Sequence, residues 1–175
     1  MKKLPKIINQ EEFEKLLKVV QKSKHKRRKH FALAMLLGFE AGMRISEILG
    51  YDGKNKIIPL QKSQIESASI RILQGKGKKD RIVPRPKRMN ETAFNLLPLK
   101  IKRRTLQRYI TQLGRSVLNK EITFHTLRHG FGSHLAQTRP LHEIQMLMGH
   151  SRLDTTGIYL HANPKQAIDG ARDVF

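Results

Sequence analysis

The sequence contains no cysteine and no tryptophan, and it has few aromatic residues of any kind. The absence of cysteine excludes disulfide scaffolds, thiolate-bound zinc, iron–sulfur clusters and cysteine nucleophiles. No segment approaches the roughly 20 consecutive apolar residues of a membrane-spanning helix, and no apolar run follows the basic start as it would in a signal peptide. We therefore expect a soluble cytoplasmic protein with no membrane partner.

Acidic residues are also scarce. The 175 residues include 35 Lys and Arg against 14 Asp and Glu, which gives a net charge of +21 with histidine neutral. A charge of this size favours a polyanionic partner, and nucleic acid is the commonest one. The few scattered carboxylates do not form the cluster that holds two Mg²⁺ ions in many nucleases and polymerases. Low aromatic content disfavours single strands, whose bases stack on aromatic rings, so duplex DNA is the expected partner.

Two segments resemble ligand-binding motifs but lack residues that those motifs require. The glycine-rich segment 75–79 lacks the spacing and the Ser or Thr of a phosphate-binding loop. His125 and His129 have the i,i+4 spacing of zinc ligands on a helix. However, no Glu stands between them as in helical zinc proteases, and Arg128 would share a helix face with His125 and repel a cation. We therefore predict no metal site and no cofactor.

The apolar pattern predicts a mainly helical α+β fold with one small antiparallel sheet. Asn9 followed by Glu12 is typical of a capping box, and the almost entirely apolar stretch 30–39 predicts a buried helix. Residues 69–73 and 81–84 are predicted strands joined by a glycine- and lysine-rich hairpin. Further helices are predicted at 44–49, 91–97, about 106–117, 124–137, 141–148, 152–162 and from 164 onwards.

Cleavage of a phosphodiester without metal sets three chemical requirements. Negative charge on the non-bridging oxygens must be stabilised, and arginine suits this task because its planar fork stays charged and holds two oxygens. The leaving oxygen needs a proton, which a lysine on a hairpin can donate. A tyrosine can supply the nucleophile if its surroundings help it to ionise. The three tyrosines are Tyr51, Tyr109 and Tyr159.

Four segments carry a family resemblance when they are taken together and in order. They are AGMRISEIL at 41–49, GKGKKDRIVP at 75–84, HTLRH at 125–129, and LMGH at 147–150 leading to TTGIY at 155–159. In this order they resemble the catalytic domain of the tyrosine recombinases, the family of phage integrases and Xer-type enzymes.

The resemblance implies how the phosphate is held and how the leaving group is protonated. Arg44 and Arg128 would clamp the scissile phosphate. Lys76 would protonate the leaving 5′ oxygen, with Lys78 and Lys79 as the alternatives for that acid. Neither metal nor ATP would be required.

The resemblance also implies the nucleophile and its helpers. Tyr159 would attack phosphorus and form a 3′-phosphotyrosyl link, while His125 and His150 would hydrogen-bond the phosphate and assist proton movement. Glu47 would orient a neighbouring base or Arg44, and a purely structural salt bridge is the alternative for this residue.

The domain organisation follows from where the resemblance begins and ends. We expect a basic lead-in at 1–8, a catalytic domain at 9–163 and a tail helix at 164–175 that docks on a neighbouring protomer. Because the resemblance starts near residue 9, we expect no room for the helical domain that precedes the catalytic domain in most family members. The chain would be either an excised fragment or one of the short members that have only the catalytic part. The basic residues expected to contact DNA are Lys24, Lys26, Arg27, Arg28, Lys78, Lys79, Arg103 and Arg104.

The expected function is site-specific recombination or integration of duplex DNA. By resemblance, protomers would assemble on DNA as a tetrameric synapse, and the free protein could be a monomer. Two alternatives remain: a DNA-relaxing activity like that of type IB topoisomerases, and a non-catalytic DNA-binding regulator that retains the fold. The protein would work in the cytoplasm, associated with the nucleoid.

Overall fold

A computed structural model describes residues 7–54, 56–73 and 80–149, and within them lie seven α-helices and one two-stranded sheet. The helices are α1 (Gln10–Lys22), α2 (Arg28–Phe39), α3 (Ile45–Leu49), α4 (Glu91–Phe94), α5 (Arg103–Leu118), α6 (Phe124–Leu135) and α7 (Leu141–Met148). The strands are β1 (Ser69–Ile72) and β2 (Arg81–Pro84). None of the described helices is both long and apolar enough to cross a bilayer.

The predicted mainly helical α+β class is confirmed, with shorter helices in two places. Helix α4 ends at Phe94 and α6 at Leu135, so each stops before the predicted position. The capping box of α1 forms as predicted, because the Asn9 side chain accepts from the Glu12 backbone at 2.8 Å and the Glu12 carboxylate accepts from Asn9 N at 3.2 Å. The helices predicted at 152–162 and from 164 lie outside the described residues.

Helix α2 forms the centre of the core, with α1 and α6 packed against it. Its residues from Phe31 to Phe39 are all buried, which explains the nearly unbroken apolar sequence. The contact with α6 is close because glycines stand where the helices meet. A Cβ at Gly38 would lie 2.8 Å from Phe124 Cζ, and one at Gly130 would lie 2.5 Å from Phe39 Cε2. This packing places α6 beside the C-terminal end of α2.

One charged residue of the sheet, Arg81, lies on the face that packs against the helices. Strands β1 and β2 pair antiparallel, with Ile70 opposite Val83 and Ile72 opposite Arg81. The three apolar residues of these pairs are buried. Side chains alternate across a strand, so Arg81 lies on the same face as Val83. That face of β2 packs against α7, which brings Arg81 to the C-terminal end of that helix.

Candidate active site

Arg44 is held at the N-terminus of α3 by a carboxylate one turn further along. The Arg44 backbone N donates to Glu47 Oε2 at 2.7 Å, and Arg44 Nη1 donates to Glu47 Oε1 at 2.9 Å. The preceding turn depends on Gly42, whose φ of +61° is left-handed. A Cβ there would lie 2.3 Å from the ring of Phe131 on α6, so only glycine fits. Both ends of Arg44 are thus held by Glu47, and the turn before α3 lies against α6.

Glu47 is the buried acid of this cluster, and its side chain has no exposed surface. Besides Arg44, it accepts a two-pronged contact from Arg81, with Nη1 to Oε1 at 2.6 Å and Nη2 to Oε2 at 2.8 Å. Burial alone would raise the pKa of Glu47, but the hydrogen bonds and positive charges of Arg81 and Arg44 outweigh it and lower the pKa. The carboxylate therefore remains ionised at neutral pH.

Arg128, on α6, is only 2% exposed. Its Nη1 donates to the carbonyl oxygen of Gly42 and its Nη2 to that of Met148. Arg44 reaches the same region, with Nη2 3.4 Å from Met148 O and 3.0 Å from Gly149 O. The two guanidinium groups therefore meet at a single oxygen atom, that of Met148. Cations are favourable there because the carbonyl groups at the end of α7 are the negative end of the helix dipole.

His125 lies one turn before Arg128 on α6 and is exposed. Its pKa is lowered because the surrounding protein partly desolvates the ring and because the cations of Arg128 and Arg44 are nearby. The imidazole is therefore neutral at pH 7 and can accept or donate a proton. Its ring also meets His129 edge-on, with the centroids 4.2 Å apart.

The cluster has the properties of a site for a single anion. The cluster contains three guanidinium groups, those of Arg44, Arg81 and Arg128, and one carboxylate, that of Glu47, so its formal charge is 3 − 1 = +2. The Arg44 side chain is 21% exposed and that of Arg81 only 8%. Arg44 is thus the more accessible of these two cations, while Arg81 lies deeper against Glu47. Planar, charged donors of this kind suit the oxygens of a phosphate.

The remaining catalytic candidates are not among the described residues. Lys76, His150 and Tyr159 lie outside them, as do the alternative acids Lys78 and Lys79. Met148 and Gly149, whose carbonyl oxygens accept from the two arginines, immediately precede His150 in the sequence.

The other basic candidates lie on exposed surface. Lys24, Lys26 and Arg27 are exposed in the turn between α1 and α2, and Arg28 is exposed as the first residue of α2. Arg103 and Arg104 are exposed in the first turn of α5. All six side chains are accessible to a partner.

Aromatic packing attaches the basic turn to α5. The His25 ring lies 5.0 Å from that of Phe31 and 5.8 Å from that of Tyr109, and Phe31 and Tyr109 stack at 4.0 Å. Burial raises the pKa of Tyr109, and a hydrogen bond with Ser23 only partly offsets this. Tyr109 is therefore a packing residue that ionises less readily than an ordinary tyrosine.

Arg81 is the component of the site that the sequence prediction missed. The sequence predicts it only as the start of a strand. The available signal is its position two residues before Val83, which places a charged residue on the inward face of β2. A buried charge needs a partner of opposite sign, and Glu47 is the partner that the fold supplies.

Comparison with known proteins assigns the chain to a family. The model of the phage integrase family matches residues 6–166. The tyrosine recombinase XerD of Staphylococcus haemolyticus is 30% identical over 94% of this chain and 61% of its own length. The tyrosine recombinase XerA of Thermococcus kodakarensis is 33% identical over 89% of this chain and 58% of its own length.

Solved structures share the fold. A post-cleavage complex of the site-specific recombinase XerH bound to its palindromic difH substrate has a TM-score of 0.66 and 28% identity, covering 97% of this chain and 53% of that one. The catalytic domain of bacteriophage HP1 integrase shares the fold, with a TM-score of 0.63, 22% identity and coverage of 95% and 93%. The chain spans about 60% of the length of the curated relatives that it matches.

Proposed function

The chain belongs to the phage integrase family, and we propose that it cleaves and rejoins duplex DNA strands in site-specific recombination. The observation that carries the proposal is the meeting of Arg44 and Arg128 at one oxygen atom, the carbonyl oxygen of Met148. Two fixed guanidinium groups that reach a single oxygen can hold one phosphate between them. Catalysis by positioning and charge stabilisation is what metal-free phosphoryl transfer requires.

The scissile phosphate would bind where α7 ends. The carbonyl oxygens of Met148 and Gly149 now accept from the guanidinium groups. A phosphate oxygen is negatively charged, so it is a stronger acceptor than a neutral carbonyl oxygen for the same nitrogen atoms. Arg44, the partly exposed member, would contact the phosphate first, and Arg128 would stabilise the charge that develops on it in the transition state.

The covalent step follows the roles implied by the matching motifs. The phenolic oxygen of Tyr159 attacks phosphorus, and the bond from phosphorus to the 5′ oxygen breaks. Lys76, or Lys78 or Lys79 in its place, gives a proton to the departing oxygen. The product is a 3′-phosphotyrosyl link and a free 5′-hydroxyl, and a second 5′-hydroxyl reverses the step without ATP because the bond energy is conserved.

The histidines would move protons within the site. His125, neutral at pH 7, is suited to accept the phenolic proton or to hydrogen-bond a phosphate oxygen. His150 would be a second hydrogen-bond donor to the phosphate. No metal ion takes part in these steps.

Duplex DNA is the proposed partner, and the exposed basic segments are its proposed contacts. The turn bearing Lys24, Lys26, Arg27 and Arg28 and the first turn of α5 with Arg103 and Arg104 would bind the DNA backbone. Each phosphate neutralised should contribute a slope of about −0.9 to log affinity against log salt.

Assembly and domain boundaries belong to the same proposal. Residues 9–163 would form the catalytic domain, and 164–175 would dock on a neighbouring protomer within a tetrameric synapse on DNA. The protein would act in the cytoplasm on nucleoid DNA.

Covalent trapping tests the proposed chemistry. A duplex selected from random sequences for tight binding is nicked close to the scissile position, so that the short strand diffuses away after cleavage and religation is prevented. The chain should form a covalent protein–DNA adduct, and Tyr159→Phe should abolish the adduct because it lacks the attacking oxygen. Tyr51→Phe is the matched control and should form adduct at the normal rate, since Tyr51 is an exposed residue of a surface bridge.

Other results would overturn parts of the proposal. An adduct that survives Tyr159→Phe would mean that another residue is the nucleophile. Tight DNA binding without any adduct would favour a non-catalytic regulator. Relaxation of supercoiled plasmid without recombinant products would favour an activity like that of type IB topoisomerases.

A further inference from the structure

Arg81 uses every nitrogen of its guanidinium group inside the site. Nη1 and Nη2 donate to the two oxygens of Glu47, and Nε donates to Leu147 O at 3.0 Å. Parallel two-pronged contacts of this kind fix orientation as well as distance. Arg81 therefore joins strand β2, helix α3 and the end of helix α7 at one point.

The contacts of Glu47 show what Arg81 supports. Oε1 accepts from the side chains of both Arg44 and Arg81, and Oε2 accepts from Arg81 and from the Arg44 backbone. With Arg81 removed, the carboxylate would be held by Arg44 alone and could rotate with it. The direction of the Arg44 guanidinium thus depends on Arg81 through Glu47.

The end of α7 depends on Arg81 as well. Consecutive carbonyl oxygens there accept from three arginines: Leu147 from Arg81, Met148 from Arg128 and Arg44, and Gly149 from Arg44. Gly149 has a left-handed φ of +59°, and a Cβ at this position would lie 2.9 Å from Arg81 Cδ. The arginine stem therefore packs directly against the turn that ends the helix.

We propose that Arg81 is a positioning residue of the strand-cleavage site, which fixes the direction of Arg44 through Glu47 and the place of the α7 end through Leu147. It stands at the start of β2, five residues after Lys76 in the sequence. This inference rests on the proposed cleavage function. Arg81 acts through other residues and does not itself hold the phosphate, since both of its Nη atoms bind the ionised carboxylate of Glu47, whereas those of Arg128 donate to neutral carbonyl oxygens that a phosphate can replace.

The test compares cleavage with DNA binding in the full chain. With Arg81→Gln, single-turnover adduct formation on saturating nicked duplex should slow by about 100-fold, the cost of misplacing a reacting group by about 1 Å. The dissociation constant for DNA should change by less than about 3-fold, because Arg81 makes no phosphate contact. Arg81→Lys should also be slow, because an ammonium cannot bind both carboxylate oxygens in parallel. It serves as the test if Arg81→Gln does not fold.

Two further variants separate this role from a general loss of charge or stability. Arg71→Gln removes an arginine from the neighbouring strand, where the side chain is 58% exposed and pairs with Glu66, and it should cleave at the normal rate. In a Glu47→Gln background, Arg81→Gln should slow adduct formation by less than about 10-fold further, because the effects of residues that act through one another are not additive.

The outcomes distinguish the two proposals. If the unaltered chain forms adduct and Arg81→Gln forms it equally fast, the positioning role is wrong while the cleavage function stands. An equal loss in both Glu47 backgrounds would also overturn the role, since Arg81 would then act by another route. If the unaltered chain forms no adduct, the proposed function fails, and the role of Arg81 fails with it.

Discussion

Replacing Arg44 by lysine should slow strand cleavage by about 100-fold to 1000-fold, the usual cost of losing one donor to transition-state charge. Lysine keeps the positive charge but has only one nitrogen atom. Arg44 uses two, because Nη1 donates to Glu47 and Nη2 to the end of α7. An ammonium that binds Glu47 cannot also reach the phosphate. The rate of adduct formation at saturating DNA is the measurement.

The affinity for DNA is the internal control for Arg44→Lys. Arg44 is one cation among 35 Lys and Arg, so the dissociation constant for DNA should change little while the cleavage rate falls. Arg115→Lys, an equivalent exchange at an exposed residue of α5 paired with Glu121, should leave both quantities unchanged. A cleavage rate within about 3-fold of normal for Arg44→Lys would show that Arg44 is not a transition-state donor.

Replacing Glu47 by glutamine should lower the free energy of unfolding by about 3 kcal/mol, because removing one partner of a buried ion pair leaves its cations uncompensated. For a chain of this length, that corresponds to a fall in Tm of about 6–12 °C. The two arginines affected are Arg44 and Arg81, and the second is almost fully buried. Thermal and urea denaturation at pH 7 measure the change.

The pH dependence of the same variant follows from linkage. The pKa of Glu47 in the folded protein is lowered from its ordinary value of 4.5, so the ionised carboxylate stabilises the fold above pH 4.5. This contribution is lost as the pH falls below 4.5 toward the folded-state pKa. The difference in stability between the unaltered chain and Glu47→Gln should therefore shrink in that acid range.

An exposed glutamate provides the comparison. Glu66→Gln removes a carboxylate that pairs with Arg71 at the surface, and such pairs contribute about 0–1 kcal/mol. If Glu47→Gln were as mild as Glu66→Gln at pH 7, the buried carboxylate would not hold the arginine cluster together.

Local sequence signals predicted most of the described elements. Asn9 and Glu12 predict the start of α1 because the hydrogen bonds of a capping box form within four consecutive residues. The apolar stretch of α2 predicts burial on all sides, and the two short strands are recognisable from their β-branched residues and the glycines between them. The ends of α4 and α6 were predicted too late, because helix ends depend on tertiary packing as well as on local preference.

The arrangement of the site was less accessible to sequence reasoning. The motifs around Arg44 and Arg128 predict what these residues do, but not that Arg128 is buried. That burial comes from contacts with Gly42, 86 residues away, and with Met148, 20 residues away. Arg81 was missed because its importance comes from Glu47, 34 residues earlier, and no local pattern links the two. An ion pair between residues far apart in the sequence cannot be predicted from a local pattern and is recognised only in the folded structure.

Charge removal at the scissile phosphate tests most directly whether the arginine pair stabilises that charge. The selected nicked duplex is prepared with a methylphosphonate at the scissile position, which replaces one charged non-bridging oxygen by a methyl group. Adduct formation is then timed for the unaltered chain and for Arg44→Ala on both substrates. If Arg44 and Arg128 neutralise this phosphate, the loss caused by Arg44→Ala should be at least about 10-fold smaller on the methylphosphonate than on the phosphate. An equal loss on the two substrates would mean that Arg44 serves the fold or the binding of DNA elsewhere, and that the cluster is not a clamp for the reacting phosphate.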